Sequence, residues 1–428
     1  MADETPLTSE QEDEAVAVDI SLTHLKKLAI FTAAVFLIIS ATLVTNQNLY
    51  YMAALLLVLP AVSYLIGMLS VRGLEVSRQM PVSAWEGETG RFILQVSSSA
   101  RVPRLFLQVD DNLPRWLKAE GGRIRRFTVP VGETVQVECP ILFEKRGHYH
   151  LQTLKITALD PLGLVAFTKE FEAPIDLIVY PVPQPLPSAL MAGGDRFGFR
   201  DVPTNAVRGS GVDPDGVREY VPGDPLRRMH WKSTARTGRL SVIEFEEPRA
   251  VNLCIALDLK RGTDLGEGKK TTLEYLVKLA ASLVETSIRH GAAVRLVLGS
   301  RQDVSGSGID HLYGCLAALA GAEADDTLSI ADVMQKWTVE GAAAHSVMVL
   351  TADPDLRTAA AMADTASQGS IVSLAYADPA SFADIRLNSA PFLEAAAAAG
   401  AVLWTVKPDP DDQIHLEPIH YGTYASIA

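Results

Sequence analysis

Three cysteines in 428 residues, Cys139, Cys254 and Cys315, are too few and too widely spaced for a disulfide framework or a paired-cysteine metal knuckle. Cys254 lies inside an apolar run, and the three read as buried free thiols in a reducing compartment. Basic charge is also scarce. There are 38 Lys and Arg against 51 Asp and Glu, a formal net charge of −13 and a pI near 5.2. Phosphate backbones require a basic face, so a general nucleic-acid grip is excluded and any cationic site must be local. No internal repeat is found, which removes solenoid folds. What remains is a chain about three typical domains long.

The first feature present is a pair of charge-free apolar runs, residues 28–44 and 49–71, each close to the roughly 20 residues a bilayer-spanning helix needs. The polar stretch Thr45–Asn48 between them is too short for a domain, so the pair reads as a tight helical hairpin whose outer ends share one side. Lys26 and Lys27 precede it and Arg72 follows it, which by the positive-inside rule puts the N-terminus and everything after Arg72 in the cytoplasm at the cell membrane, with Tyr50 and Tyr51 at the outer interface. A cleaved signal peptide would have a shorter apolar stretch and no second span. Residues 1–22, acidic and poor in aromatics, read as a disordered tail, and 23–72 as the hairpin.

Residues 73–185 alternate with period two at Phe92, Leu94 and Val96, at Leu105, Leu107 and Val109, and at Val135, Val137 and Cys139, between Gly, Pro and Asp turns. That pattern predicts a β-sandwich. Residues 249–407 instead alternate apolar strand runs with helical stretches: VNLCIALDL, a helix over Thr271–His290, AAVRLVL, and later strands near His345–Thr351, Ser370–Ala377 and Ala401–Val406. This order predicts a doubly wound, mostly parallel α/β sheet, whose ligands would bind at the strand carboxyl ends around Asp258 and the Thr351–Asp353 turn. Residues 408–428 read as a C-terminal tail.

The intervening segment, 186–248, holds the basic charge the rest lacks. From Arg208 to Arg239 there are seven Lys or Arg against four acids. Asp224 as N-cap, Pro225 at the first helical position and Gly238 after the last predict a short helix over Pro225–Thr237, with Arg228, Lys232 and Arg236 near one face. Such a stripe is either an internal clamp, its arginines paired with Asp213, Asp215, Glu219 and Glu244, or a surface for an anionic partner.

The run from Asp215 to Asp224, DGVREYVPGD, followed by PLRRMHWKSTAR through Arg236, resembles the signature of the bacterial domain-of-unknown-function-58 proteins. Lys145-Arg-Gly-His-Tyr149, Asp160-Pro-Leu-Gly-Leu164 and Val179-Tyr-Pro181 resemble that family's β-domain, and the N-terminal helix pair fits as well. The resemblance implies a membrane protein with a von Willebrand factor A-like C-terminal domain, commonly encoded beside MoxR-type AAA+ ATPases, in a family whose biochemical role is undefined. Within this segment, Arg218, Tyr220, Gly223, Asp224, Arg228, His230, Trp231, Lys232 and Arg236 are the expected partner- or ligand-binding residues.

Candidate chemistry is thin by comparison. A von Willebrand factor A domain that binds Mg²⁺ presents Asp-x-Ser-x-Ser after its first strand, because a hard cation takes oxygen ligands. Here Asp258-Leu-Lys260-Arg-Gly262 puts a lysine and a glycine where the serines belong, leaving Asp258 and Asp353 as weak metal candidates and Mg²⁺ without its motif. The loop RGTDLGEGKKTT has the context of a phosphate loop but the wrong spacing, and reads as flexible and solvated. His148 and His150 share a strand face without further ligands, and His230 has no nucleophile motif beside it. The expected function is therefore a membrane-anchored, non-enzymatic adaptor that binds a protein partner, plausibly a MoxR-type ATPase. The alternative is a metal- or anion-dependent enzyme or ligand-binding protein working at Asp258 and Asp353.

Overall fold

The computed structural model describes residues 9–120, 124–186, 214–219, 229–245, 253–340, 344–383, 385, 387–409 and 412–419. They fall into two units, 1–180 and 181–428.

The first unit begins with helices α1 (Ser9–Val44) and α2 (Gln47–Ser70), joined at Thr45 and Asn46. Thr45 takes a left-handed backbone (φ 54°), and the Asn46 side chain caps α2 by accepting from the Asn48 amide at 3.0 Å. Buried on the pair are Ala34, Ala41 and Ala53, while Phe36, Leu43, Tyr51 and Leu55 face outward. Small residues inside and large apolar residues outside is the arrangement of helices solvated by lipid. Both Leu25–Val44 and Gln47–Ser70 are long and apolar enough to cross a bilayer. The N-terminal tail expected as disordered is a helix from Ser9 onward. Its alanines and glutamates are good helix formers, and acids near a helix N-terminus complement the dipole, so the hydrophobic helix propagates back through them.

Nine strands follow: β1 (Leu74–Gln79), β2 (Ser83–Trp85), β3 (Thr89–Ser98), β4 (Arg104–Asp110), β5 (Leu117–Ala119), β6 (Ile124–Val129), β7 (Thr134–Phe143), β8 (Gly147–Leu159) and β9 (Ala166–Tyr180). They form two sheets, β1-β3-β7-β5 and β2-β9-β8-β4-β6. Phe92, Leu94 and Val96 of the first sheet bury against Leu107, Val109, Leu154 and Ile156 of the second, as the alternation predicts. Leu105 departs from it. A bulge between Arg104 and Leu107, with Phe106 at φ 54°, turns Leu105 and Phe106 outward together. One ion pair spans the two sheets inside the core: Arg78 of β1 reaches Asp111 at 2.5 Å and the Ala173 carbonyl at 3.1 Å. Burial lowers the Arg78 pKa in spite of Asp111 beside it.

Three motifs of the sequence signature prove to be structural here. Tyr149 donates its hydroxyl to the Lys145 carbonyl at 2.7 Å, closing the Lys145–Tyr149 turn, and Val179 is a core residue. The Asp160–Leu164 turn grips α2. Ser63 of α2 donates to Asp160 Oδ2 at 2.5 Å and accepts from the Leu162 amide at 3.3 Å, while the Leu164 and Val165 amides donate to Asp160 Oδ1 at 2.6 and 2.7 Å. Tyr64 meets Phe167 edge to face, and Gly67 lies so close to that ring that a Cβ would stand 2.8 Å from it. Burial works to raise the Asp160 pKa, but these donors overcome it and hold the carboxyl below its ordinary value.

In the second unit, β10 (Pro214–Glu219) and β11 (Ser241–Phe245) form a two-stranded antiparallel sheet with α3 (Trp231–Thr237) between them in sequence. Of the helix expected over Pro225–Thr237, residues 225–228 lie outside the described residues, and the described helix runs Trp231–Thr237. Met229 is extended and bridges to Val242, and His230 becomes the cap, its Nδ1 accepting from the Ser233 amide at 3.2 Å. The main sheet contains β12 (Leu253–Leu257), β15 (Val294–Leu298), β16 (Gln302–Gly306), β17 (Ser346–Thr351), β18 (Ile371–Ala377), β19 (Val402–Lys407) and β20 (His415–Ile419), in the order β16-β15-β12-β17-β18-β19-β20. Its inner strands are parallel and the two edge pairs antiparallel. Helices α4 (Thr272–Arg289), α5 (Ile309–Ala320), α6 (Ile330–Glu340), α7 (Leu356–Ser367), α8 (Pro379–Phe382) and α9 (Ala390–Ala398) complete a mixed α/β layer structure. The near-continuous burial of β12, β17 and β18 is that of strands covered on both faces.

Two expectations fail here. The tail from residue 408 supplies β20, whose Leu416 pairs with Val406, and Asp412 caps the buried Lys278 ammonium at 2.5 Å. The loop expected as flexible is pinned: it holds a small hairpin, β13 (Gly266–Glu267) with β14 (Lys270–Thr271), and Thr272 Oγ1 donates to the Thr263 carbonyl at 2.6 Å while accepting from the Leu265 amide at 3.0 Å.

Candidate functional site

The carboxyl ends of β12 and β17 bring together the residues that a doubly wound sheet offers to a ligand. Asp258 follows β12 and is 3% exposed. Thr351, the last residue of β17, donates to its Oδ2 at 2.7 Å, and the Lys260 amide donates to its Oδ1 at 3.2 Å. Two donors do not compensate for burial, which pushes the Asp258 carboxyl up to about 6, with Asp353 adding to the rise. Asp353 is held by the turn, its amide donating to Thr351 Oγ1 at 2.9 Å, and its carboxylate receives the Lys260 ammonium at 2.5 Å. That hydrogen bond raises the Lys260 pKa.

Around this centre the loops are fixed by side chains. Asp326 accepts from Ser300 through both amide and hydroxyl (2.6 and 3.0 Å) and from the Leu328 amide at 3.1 Å; burial opposes ionisation, but the donors win and its pKa is lowered. Ser329 and Asp332 cap α6 reciprocally, with the Ser329 hydroxyl 2.7 Å from Asp332. Arg357 pairs with Asp355 and Asp332 at 2.8 and 3.3 Å. A cation is therefore already built into the position next to Asp353. The metal candidates Asp258 and Asp353 are thus tied to Thr351 and Lys260, and among the described residues no three His, Cys, Asp or Glu are grouped to hold a metal. Sequence reasoning marked Asp258 and Asp353 but missed Asp326 and Ser300; the Asp326-Thr-Leu-Ser329 run, a carboxylate ahead of a cap serine, was the available signal.

The basic segment is a separate place in the same unit. Tyr220, Gly223, Asp224 and Arg228 lie outside the described residues, as do Asp213 and the side chains of Asp215, Arg218, Glu219 and Glu244, so the clamp pairs expected there are not placed; the Arg218 backbone pairs with Val242. His230 serves α3 as its cap, with Ser233 Oγ 2.8 Å from the same nitrogen, which gives the ring a structural task. Ser241 ties the helix down: its amide donates to Thr234 Oγ1 at 3.0 Å and its carbonyl accepts from the His230 amide at 2.8 Å. Trp231 is 66% exposed, and Lys232 and Arg236 are exposed on the same short helix, without an ion pair among the described residues.

Elsewhere, His150 pairs with Asp176 across β8 and β9 on an exposed face. The three cysteines are buried free thiols, burial pushing Cys139 up to about 11 and Cys254 and Cys315 to about 12, so none is a nucleophile at neutral pH.

Residues 216–381, which begin in β10 and end in α8, match the family model described as protein of unknown function DUF58. The chain carries a DUF58 region over these residues. A relative from Bacillus subtilis, described as uncharacterized protein YeaD, is 25% identical over 287 residues, covering 62% of the chain and 67% of YeaD. Uncharacterized protein Rv1480 of Mycobacterium tuberculosis is 30% identical over 103 residues, 24% of the chain, and the match spans 30% of that relative's length. Among solved structures, part of the Escherichia coli alpha-2-macroglobulin is similar over 25% of the chain and 17% of its own, at 15% identity and a TM-score of 0.21. The DUF58 match covers the strand-end cluster and the basic segment together.

Proposed function

We propose that this DUF58 protein is a membrane-anchored adaptor, without enzymatic activity of its own, whose C-terminal unit docks a protein partner. The observation that carries the reading is the Lys260–Asp353 pair: the strand-end position that a metal-dependent site keeps open is filled by the chain's own ammonium. A tethered cation satisfies the carboxylate without leaving coordination sites for substrate. Reading the C-terminal unit as von Willebrand factor A-like is supported by the central β12 flanked by β15 and β17 and by the aspartate at its carboxyl end. The helix pair would anchor the chain at the cell membrane, with Lys26, Lys27 and Arg72 on the cytoplasmic side. Trp231, Lys232 and Arg236 form the docking face, an aromatic flanked by cations of the kind enriched at interface centres. Of partner classes, the MoxR-type AAA+ ATPases are the first to test.

The test is co-purification of the full chain from gently solubilised membranes, wild type beside Lys232→Ala plus Arg236→Ala. An ATPase band that the double variant loses supports the adaptor; no ATPase at native expression would count heavily against it. The competing reading, a ligand-binding or catalytic site at Asp258, rests on that carboxyl's pKa near 6. A rise in melting temperature with Mg²⁺, Mn²⁺ or a nucleotide would favour it, since a ligand that binds only the folded state stabilises by mass action.

A further inference from the structure

Three loops of the sandwich, 99–103, 130–133 and 160–165, share the end at which α2 enters, because Leu74 pairs with Ser98, Arg104 with Val129 and Leu159 with Ala166. The Ser99 amide donates to the Gly73 carbonyl at 3.2 Å, and Arg104 donates to the Arg72 carbonyl at 2.9 Å, so the first loop is stitched to the residues that leave the helix. Exposed apolar side chains collect at this end: Val102 (62% exposed), Phe106 (51%) and Val131 (49%), with Leu105 beside them. The bulge and left-handed Phe106 described above are what turn two of them outward, a costly backbone state for a bulky residue. A groove lined by Phe106, Gln108, Arg126, Phe127, Thr128 and Leu159 continues the surface.

The height of these loops relative to the bilayer follows from α2. A span of about 20 residues counted from Gln47 ends at Ile66. The third loop is hydrogen-bonded to Ser63, one turn inside that limit. The loop end of the sandwich therefore lies at the boundary between hydrocarbon and headgroups rather than beyond it. The exposed charges there are complementary to an anionic leaflet: Lys26, Lys27, Arg72, Arg101 and Arg126, against Glu133.

We propose that the sandwich docks onto the lipid surface through Val102, Leu105, Phe106 and Val131, which enter the interfacial layer beside the helix pair. The inference rests on the anchoring reading, and the experiment separates the two. The full chain is reconstituted into mixed phosphatidylcholine–phosphatidylglycerol vesicles with a nitroxide at Val102→Cys, Phe106→Cys or Val131→Cys, the native thiols being buried. Collision rates with oxygen and with a nickel chelate are compared with those at Leu57→Cys in α2 and Val82→Cys at the opposite end of the sandwich. The expected result is an oxygen-to-nickel ratio at the three loop sites several-fold above that at Val82 and below that at Leu57. Loop sites that match Val82 while Leu57 reports lipid would overturn interfacial docking and leave anchoring intact. A water-like Leu57 would overturn both.

Discussion

Asp160 and Asp258 are both 3% exposed aspartates, one in each unit, yet their carboxyls are pushed in opposite directions. Asp160 receives a hydroxyl and two backbone amides within 2.7 Å; Asp258 receives a hydroxyl at 2.7 Å and one longer amide bond. Equal solvent exposure hides two differences: Asp258 is set deeper in the packed interior, and it receives fewer donors, so one carboxylate is fixed as an anion and the other is pushed up toward neutrality. The first belongs to a lock between helix and sandwich, which needs constancy. The second stands at the strand ends, where the competing functional reading is centred.

The sharpest way to break this contrast is Asp160→Ala, which strands the Ser63 hydroxyl and two amides; at about 1–3 kcal/mol for each buried group left unpaired, a loss of at least about 3 kcal/mol is expected in thermal melts of the full chain in mild detergent. Next is pH. A raised native pKa means that Asp258 binds its proton more tightly folded than unfolded, so its contribution is fully present below about pH 4 and is lost as pH rises through about 6. Asp258→Asn, which resembles the protonated form, should therefore match wild type near pH 4 and exceed it by about 2–3 kcal/mol at pH 8. Asp160 has the opposite sign: its stabilisation is present above the ordinary aspartate value and is lost as pH falls through its lowered pKa, so Asp160→Asn should flatten the acid limb of the same melting curve. Identical pH profiles for the two asparagine variants would refute the comparison.

A smaller effect is expected at Lys260. Lys260→Ser removes a partly buried ion pair, a loss of about 1 kcal/mol, and opens Asp353 to solvent cations. Stabilisation by Mg²⁺ should appear in the variant and be absent in wild type; Mg²⁺ stabilising both would argue against the tethered ammonium as the site's cation. The smallest effect on folding belongs to Lys232→Ala plus Arg236→Ala, within about 0.5 kcal/mol, because both side chains are exposed.

Much of this architecture is legible in the sequence where one physical signal dominates. Period-two alternation finds β3, the apolar runs find β12, β17 and β18, and the helical stretch Thr271–His290 finds α4 within a residue at each end. The failures have local causes. The caps Asp224 and Gly238 predict one helix over Pro225–Thr237, yet strand pairing of Met229 with Val242 interrupts that stretch ahead of Trp231. Alternation breaks at Leu105 because a bulge adds a residue to one strand, which no periodicity anticipates. At the site, Lys260 is visible as a departure from Asp-x-Ser, but that its ammonium would meet Asp353 across 93 residues is a tertiary fact. The same holds for Ser63, which reads as one small polar residue in an apolar run until Asp160 is placed beside it.

That last bond has a consequence for biogenesis. Its two ends are 97 residues apart, and at about 5–20 residues per second the ribosome needs about 5–20 s to pass from Ser63 to Asp160. A helix pair that entered the bilayer during that interval would do so with Ser63 and the Gly67 notch unfilled, so the lock between helix and sandwich waits on the β8–β9 turn. A nascent chain stalled or truncated before residue 160 would leave an inserted but unlatched hairpin, a distinct surface for membrane quality control to recognise.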